Sequence, residues 1–268
     1  RILPGHRAEQ SPRYAPCMPR SPAEANRHTY DDAHLAALYD VDNPPGEDHA
    51  FFRQVAEEAD ARSIVDLGCG TGSLTVTFAR QGRTVVGIDP AEAMLRTARV
   101  RPGGEAVQWR RGTSSLIRAG EADLVVMTGN VAMHLIGADW PAALRHIAAG
   151  LVAGGRLVFE TRNPAWRAWE HWNQEPTRRE TPLGPVMESE TATPPDEHGV
   201  VRMRTRTEFH ADGAVTEVEQ HLQFRSEQQV RADLAAAGLA VERISSDWRR
   251  RPFDAGTHRL MVVEARRG

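Results

Sequence analysis

The sequence of 268 residues contains no lysine, so its 33 basic side chains are all arginine. Aspartate and glutamate together number 36, which leaves a formal net charge of −3 at pH 7. Such a chain has no overall positive field to attract a polyanion, because that attraction needs an excess of basic residues. The composition therefore argues against a nucleic-acid partner and favours a small-molecule acceptor.

Only two cysteines are present, Cys17 and Cys69, which excludes a disulfide framework and a cysteine-rich zinc site. The 11 histidines are scattered without the spacing of metal-binding motifs, so we predict no metal site. No apolar run approaches the roughly 20 residues that a membrane helix needs, and no signal-peptide pattern is present. These features predict a cytoplasmic protein with no membrane partner.

Residues 1–28 are rich in proline, arginine and serine without hydrophobic periodicity, so we predict a disordered leader there and one domain over residues 29–268. Within the domain, strand-like and helix-like segments alternate. This alternation is typical of an α/β fold with a doubly wound, mostly parallel sheet and right-handed crossovers. The predicted strands are 63–67, 84–89, 106–110, 123–128, 156–161, 239–245 and 258–265. The predicted helices are 31–39, 48–59, 73–81, 90–100, 140–151 and 226–237.

The alternation stops over residues 163–225, which we predict to be an insertion that covers the substrate. Two segments of alternating apolar and polar residues flank Asp212-Gly213, a strong β-hairpin signal. A two-residue turn there would pair Arg206 with Glu219 and give the hairpin one charged and one apolar face. We expect this hairpin to lie over the carboxyl ends of the sheet.

A glycine-rich turn follows the first predicted strand, with glycines at positions 68, 70 and 72. In a doubly wound sheet such a turn lets backbone approach a ligand without a β-carbon in the way. A dinucleotide-binding fingerprint would need glycine at position 73, where Ser73 stands. Asp89 ends the second strand, where its carboxylate can accept both hydroxyls of a ribose. The pattern favours a nucleoside that lacks a pyrophosphate.

The segment Val65-Asp66-Leu67-Gly68-Cys69-Gly70-Thr71-Gly72, followed by Gly87-Ile88-Asp89-Pro90, resembles motifs I and II of class I S-adenosylmethionine-dependent methyltransferases. The resemblance implies a seven-stranded Rossmann-like sheet, S-adenosylmethionine as cofactor and S-adenosylhomocysteine as its product. It also implies a set of cofactor-binding residues: Tyr39, Asp66, Gly68, Cys69, Gly70, Asp89, Pro90, Met94, Thr113, Ser114, Thr128, Gly129 and Asn130.

The resemblance assigns these residues different parts of the cofactor. The glycine turn would contact the methionine part, Asp66 would order the loop or reach the amino group, and Asp89 would hold the ribose. Met94 would pack on the adenine, or it is a core methionine at helical spacing. At the third motif the sequence departs from the family, because Thr113 stands where an aspartate often accepts the adenine amino group. A hydroxyl or a backbone carbonyl can serve there instead.

The acceptor side of the site offers few signals. His134 follows the fourth strand and is a candidate general base if the acceptor arrives protonated, or it is a structural histidine. Trp166 and Trp169 follow the fifth strand and are candidates for an aromatic wall around the acceptor, or for core packing.

Together these features predict in-line methyl transfer to nitrogen or oxygen of a small-molecule metabolite. The alternative is a homologue that binds the cofactor in a non-methylating catalytic or regulatory role. An oxidoreductase that uses a nicotinamide dinucleotide is disfavoured by Ser73.

Overall fold

The computed structural model describes residues 21–268. Its strands, in chain order, are β1 (Ser63–Leu67), β2 (Thr84–Asp89), β3 (Gln108–Arg111), β4 (Ala122–Met127), β5 (Leu151–Arg162), β6 (Gln174–Thr181), β7 (Gly184–Ala192), β8 (Val200–Phe209), β9 (Val215–Gln223), β10 (Leu239–Ser245) and β11 (Leu260–Arg267). Seven of them form one sheet in the order β10-β11-β5-β4-β1-β2-β3. The pairs from β5 through β4, β1 and β2 to β3 are parallel, whereas β11 runs antiparallel to β5 and β10. The predicted doubly wound, mostly parallel sheet is confirmed.

Helices cover both faces of this sheet. They are α1 (Pro22–His28), α2 (Ala33–Asp42), α3 (Glu47–Glu58), α4 (Thr75–Phe78), α5 (Glu92–Val100), α6 (Val131–His134), α7 (Asp139–Gly150) and α8 (Glu227–Ala236). Successive strand residues point to opposite faces, so Leu124 of β4 joins the cluster around Phe52 of α3, while Val125 joins the cluster around Ile147 of α7. Among the described residues, no helix combines the length and apolar character needed to cross a membrane.

Several predicted boundaries differ from the structure, including the start of β5 at Leu151 rather than 156, and two of the differences have a clear local reason. The helix predicted over residues 73–81 is reduced to the single turn α4, because Thr75, Val76 and Thr77 are β-branched and disfavour a longer helix. Strand β3 begins at Gln108 rather than 106, because Gly104–Ala106 form a 3₁₀ turn.

The predicted disordered leader is wrong over its last residues. Residues 1–20 lie outside those that the structure describes, but Pro22–His28 form α1. The Ser21 side chain accepts a hydrogen bond from the N–H of Glu24 at 3.3 Å, and Pro22 occupies the first turn. This Ser-Pro-x-Glu pattern is a helix start. The composition of the surrounding residues obscured it.

The insertion after β5 contains more than the predicted hairpin. Strands β8 and β9 do pair around Asp212-Gly213, but they belong to a four-stranded antiparallel sheet in the order β6-β7-β8-β9. The predicted register is wrong, since Arg206 pairs with Glu217 rather than Glu219. The reason is a longer loop over residues 210–213, closed by the N–H of Phe209 on the carbonyl of Ala214. A shift of two residues keeps every side chain on its predicted face.

Candidate active site

A cavity opens at the carboxyl ends of β1, β2 and β4 and encloses about 1150 Å³ of empty space, including its open mouth. Its position is the one at which doubly wound sheets bind ligands. Ten of the predicted site residues line it: Tyr39, Gly68, Gly70, Asp89, Pro90, Met94, Thr113, Ser114, Gly129 and His134.

The turn after β1 presents bare backbone to this cavity. Gly68 and Gly70 have left-handed φ values of 76° and 54°. A β-carbon at Gly68 would lie 2.3 Å from Cγ2 of Val131, so both conformation and space require glycine there. The N–H groups of Gly68 and Cys69 donate to the carbonyl oxygen of Ile88 at 2.7 and 3.1 Å. The turn is thereby fastened to the end of β2.

Asp89 joins the ends of β1 and β2 through its side chain. It is 8% exposed, and its Oδ2 accepts a hydrogen bond from the N–H of Gly70 at 2.9 Å while Oδ1 accepts one from Ala91 at 2.8 Å. Burial raises the pKa of Asp89 to about 6 against these hydrogen bonds. Each carboxylate oxygen has a second lone pair, so Asp89 can fix the turn and still accept two ligand hydroxyls.

Asp66 lies in the buried strand that leads into the turn. Its Oδ2 accepts a hydrogen bond from Oγ1 of Thr75 at 2.6 Å, whereas Oδ1 is buried and has no hydrogen-bond partner among the described residues. Burial raises the pKa of this carboxyl to about 7. A buried acceptor of this kind suits a ligand that brings a hydrogen-bond donor or a positive charge.

Tyr39 of α2 lies against the glycine turn. Its Cε1 is 3.7 Å from where a β-carbon of Gly70 would stand, and its hydroxyl is 3.3 Å from the corresponding position at Gly129. The ring of Tyr30 packs edge-on against Tyr39 with 5.5 Å between centroids. Burial raises the pKa of both phenols, so each is neutral at physiological pH and can donate a hydrogen bond.

The far end of the cavity lies beyond Asp89, next to β3. Ser114 is 6% exposed there, and its Oγ lies 3.0 Å from Nδ1 of His146 on α7. Met94 of α5 contributes an apolar surface, and Ala142 of α7 also lines this end. A flat apolar ring bound between α5 and α7 would have the hydroxyl of Ser114 at its edge.

Helix α1 forms part of the cavity wall through Ala23, Asn26 and Arg27. Nη1 of Arg27 lies 2.8 Å from Oδ2 of Asp139, the first residue of α7. Nδ2 of Asn26 donates to the carbonyl oxygen of His134 at 2.9 Å. The segment predicted to be a leader therefore closes one side of the site.

His134 ends the short helix α6 and lines the cavity. Burial lowers the pKa of its imidazole to about 4, so the ring is neutral at pH 7. A neutral imidazole has one nitrogen free to accept a proton.

A family model for a methyltransferase domain matches residues 40–244. The chain belongs to this family. A ubiquinone biosynthesis O-methyltransferase of Methylobacterium nodulans is 35% identical to it over 113 residues, which are 41% of this chain and 45% of that protein. The methyltransferase chain thus spans less than half the length of that relative.

Solved structures resemble this methyltransferase over most of its length. The CcbJ methyltransferase from Streptomyces caelestis gives a TM-score of 0.70 at 24% identity and covers 90% of this chain and 99% of its own. CalS10 from Micromonospora echinaspora, an amino pentose methyltransferase solved with S-adenosylmethionine, gives a TM-score of 0.61 at 23% identity, with 88% and 97% covered. These likenesses show a shared fold.

Five other predicted residues of the methyltransferase lie outside the cavity lining. Asp66 lies in β1, Cys69 in the glycine turn, and Thr128 and Asn130 in the loop after β4. Trp169 is 7% exposed and packs edge-on against Phe224 of the insertion, with ring centroids 4.8 Å apart. Trp169 therefore packs between the insertion and α6, in the same hydrophobic cluster as Met133.

Trp166, also predicted at the site, lies outside the cavity lining and is 49% exposed. The two tryptophans do not share one helix, because Arg167 adopts a left-handed conformation between two 3₁₀ turns.

Sequence analysis missed Glu160, which lies near the end of β5. It is 4% exposed, and its Oε1 accepts a hydrogen bond from the N–H of Asn130 at 2.6 Å. Burial raises the pKa of Glu160 to about 7. The available signal was an acidic residue directly after the apolar run Leu157-Val158-Phe159, within a predicted strand.

Proposed function

We propose that the protein transfers a methyl group from S-adenosylmethionine to nitrogen or oxygen of a small-molecule acceptor. The observation that carries the proposal is the pairing of Asp89 with Gly70 across the ends of β1 and β2. This contact holds a carboxylate with free lone pairs beside a turn of bare backbone, and both face one cavity. Family membership supports the same reaction class.

The residues of the cavity suit the parts of this cofactor. Asp89 would accept the ribose hydroxyls, and the unpaired Oδ1 of Asp66 would receive the ammonium of the methionine part, directly or through the turn. Met94 would pack on the adenine, and the hydroxyl of Ser114, next to Thr113, would take the part of the missing aspartate at the adenine edge. The methionine part, the ribose and the adenine would thus lie over the ends of β1, β2 and β3 in that order.

When bound, the cofactor supplies a methyl group made electrophilic by its positively charged sulfur. The protein's part is to hold an acceptor in line with that carbon and to exclude water. Tyr30, Tyr39 and α1 cover the cavity, so they would provide the exclusion. His134, the predicted general base, lines the cavity, but the burial that lowers its pKa to about 4 makes its imidazole a weak base for an acceptor that arrives protonated.

The test of this proposal is calorimetric titration with S-adenosylhomocysteine. Wild-type protein should bind it, and Asp89→Ala should weaken binding about 10- to 100-fold, as expected for lost charge-assisted hydrogen bonds. Asp123→Ala is the matched control, because that carboxylate also accepts two backbone N–H groups, those of Arg62 and Ser63, but at the amino ends of the strands. No binding to the wild type would exclude the proposal.

Binding alone does not separate methyl transfer from the alternative of a non-methylating cofactor-binding homologue. Incubation with S-adenosylmethionine and a cell extract makes that distinction. Formation of S-adenosylhomocysteine above the level seen with Asp89→Ala supports methyl transfer, and equal levels support the alternative.

A further inference from the structure

Two buried acceptor atoms at the ends of β4 and β5 have no hydrogen-bond partner among the described residues. They are Oε2 of Glu160 and Oδ1 of Asn130. The two residues are in direct contact, because the other oxygen of Glu160 accepts the N–H of Asn130 at 2.6 Å. Gly129, which lines the cavity, immediately precedes Asn130. Unpaired acceptors therefore lie next to the candidate active site.

Holding the loop after β4 does not require these two atoms. One carboxylate oxygen is enough to accept the N–H of Asn130, and the left-handed backbone of Asn130, with φ at 63°, would suit glycine at least as well. Burying an acceptor without a partner is unfavourable, so a group that brings hydrogens to this place gains affinity. The two oxygens are better explained as recognition groups.

The strand order places them on the acceptor side of the cofactor. The proposed nucleoside lies over the ends of β1, β2 and β3, with its sulfur near Gly68 and Gly129. Strands β4 and β5 continue the sheet in the opposite direction from β1. A molecule that approaches the methyl group from outside the nucleoside would therefore enter beside Gly129, which lines the cavity, and come next to Asn130 and Glu160, which lie just outside the lining. Tyr39 lies close to both regions, since it contacts the glycine turn and its pKa is raised in part by the charge of Glu160.

The charges around this place favour a cation. Asp48 of α3 faces Glu160 closely enough to raise its pKa. Arg162 lies two residues after Glu160 on β5. Its guanidinium stacks over the ring of Trp172, at 5.4 Å from the ring centroid. The charge of Glu160 partly offsets the burial that lowers the pKa of Arg162, but the two side chains form no ion pair among the described residues. The two carboxyl groups thus lack a compensating positive charge in contact with them.

Unpaired acceptor oxygens on two contacting residues favour a group that brings at least two hydrogens. A hydroxyl brings one hydrogen, whereas an amino group brings two or three. We propose that Glu160 and Asn130 form the subsite for an amino group of the acceptor, and that its nitrogen is the atom methylated. This inference rests on the proposed methyl transfer and narrows it to amines.

Methyl transfer to this nitrogen balances in protons and electrons. An ammonium loses one proton to the carboxylate of Glu160, and the freed lone pair of nitrogen forms the new bond to the methyl carbon. The carbon–sulfur bond breaks with its electron pair left on sulfur. The methylated nitrogen keeps its remaining hydrogens as an ammonium.

The test uses probes that need no knowledge of the natural acceptor. They keep the adenosine and the amino acid chain of S-adenosylhomocysteine, replace sulfur by nitrogen, and carry a 3-aminopropyl or a 3-hydroxypropyl arm in place of the methyl group. Calorimetry should show that the wild type binds the amino probe about tenfold or more tightly than the hydroxyl probe, as for a hydrogen bond between charged groups. Equal affinities would overturn the proposal.

Variants separate recognition from support of the loop. Glu160→Gln keeps an oxygen for the N–H of Asn130 but removes the charge, so the preference for the amino probe should fall to within about twofold while S-adenosylhomocysteine still binds. Asn130→Gly, which suits the left-handed backbone, should lower the preference in part. Glu121→Gln, at the amino end of β4, is the control and should change nothing. An undiminished preference in Glu160→Gln would also overturn the proposal, whereas loss of S-adenosylhomocysteine binding by the wild type would count against the proposed function itself.

Discussion

Asn26 of α1 and His221 of β9, which are 195 positions apart, form a reciprocal pair of hydrogen bonds. Nδ2 of Asn26 donates to the carbonyl oxygen of His221 at 2.7 Å, and the N–H of His221 donates to Oδ1 of Asn26 at 2.8 Å. The side-chain amide thus occupies the place of a neighbouring strand at the edge of the inserted sheet. Because the same Nδ2 also donates to the carbonyl of His134, one side chain ties α1 to the insertion and to the cavity wall.

Replacement of Asn26 by aspartate should loosen α1 from the site. Asn26→Asp keeps one acceptor oxygen but turns the donor into an acceptor that faces two carbonyl oxygens. The loss of two hydrogen bonds, each worth about 1 kcal/mol, should speed release of S-adenosylhomocysteine roughly tenfold or more. Dissociation rates from a competition experiment measure this effect. Asn173→Asp is the control, since the side chain of Asn173 accepts the N–H of Ala192 and has no other hydrogen bond within residues 21–268. Equal rates in wild type and Asn26→Asp would show that α1 does not retain the ligand.

Alanine at Gly68 should cost more stability than alanine at Gly82. Both glycines have nearly the same left-handed φ, 76° and 79°, so the two substitutions share the backbone strain of roughly 1–2 kcal/mol. Only at Gly68 does the new β-carbon collide with Val131, whereas nothing lies within 4 Å of it at Gly82. Urea unfolding should therefore show an additional loss of about 1–3 kcal/mol for Gly68→Ala.

The double variant Gly68→Ala/Val131→Ala completes this comparison. Removing the Val131 methyl groups should recover part of the additional loss and leave the backbone strain. If the two single glycine variants lose the same free energy of unfolding, packing against Val131 is not what requires glycine at position 68.

Two of the parallel strands, β1 and β2, could be predicted to the residue because they are short, apolar and bounded by turns. Strands β1 and β2 agree with the predicted ranges at both ends. Strand β6 was not predicted, because it lies at an edge of the inserted sheet, is mostly exposed and lacks an apolar alternation. Its extended form depends on pairing with β7, a contact that local sequence does not encode.

The cofactor end of the site was predictable for a related reason. Gly68, Gly70 and Asp89 are close in sequence to strand ends, so the topology alone brings them together. Glu160 and Asn26 act through partners far along the chain, at separations of 30 and 108 or more positions. Their roles follow from tertiary packing, and no local pattern contains that information.

Removal of the Ser114 hydroxyl should weaken cofactor binding to an extent that depends on the amino group of the adenine. Ser114→Ala should lower the affinity for S-adenosylhomocysteine by roughly three- to tenfold, the effect of one neutral hydrogen bond. S-Inosylhomocysteine, which lacks the amino group, should bind Ser114→Ala and wild type with a smaller difference. Calorimetry with both ligands measures this. Ser115→Ala is the neighbouring control, since Ser115 is exposed and its hydroxyl contacts only Thr113. An identical loss in both variants would remove Ser114 from adenine recognition.

Asp66 should make the ligand-free protein less stable as pH rises towards 8. Burial raises its pKa from 3.8 to about 7, so the folded state holds the proton more tightly than the unfolded state. The contribution to stability is then fully present below pH 3.8 and is lost as pH rises through 7. Between pH 5.5 and 8 the loss from this group amounts to about 2 kcal/mol. Asp66→Asn cannot titrate, so its free energy of unfolding in urea should fall by about 2 kcal/mol less than that of the wild type over the same interval.

Asp123, whose pKa is lowered rather than raised in the folded state, provides the control that tests whether the effect is specific to Asp66. Hydrogen bonds from Ser63 and Arg62 lower the pKa of Asp123 despite its partial burial, so that group is ionised in both states throughout the interval. Asp123→Asn should therefore reduce stability by a similar amount at pH 5.5 and at pH 8. If the wild type and Asp66→Asn show the same fall between the two values, Asp66 is already ionised at pH 5.5 in the folded protein. In that case the unpaired Oδ1 must have a hydrogen-bond donor even without the ligand, and its assignment to the cofactor ammonium loses its basis.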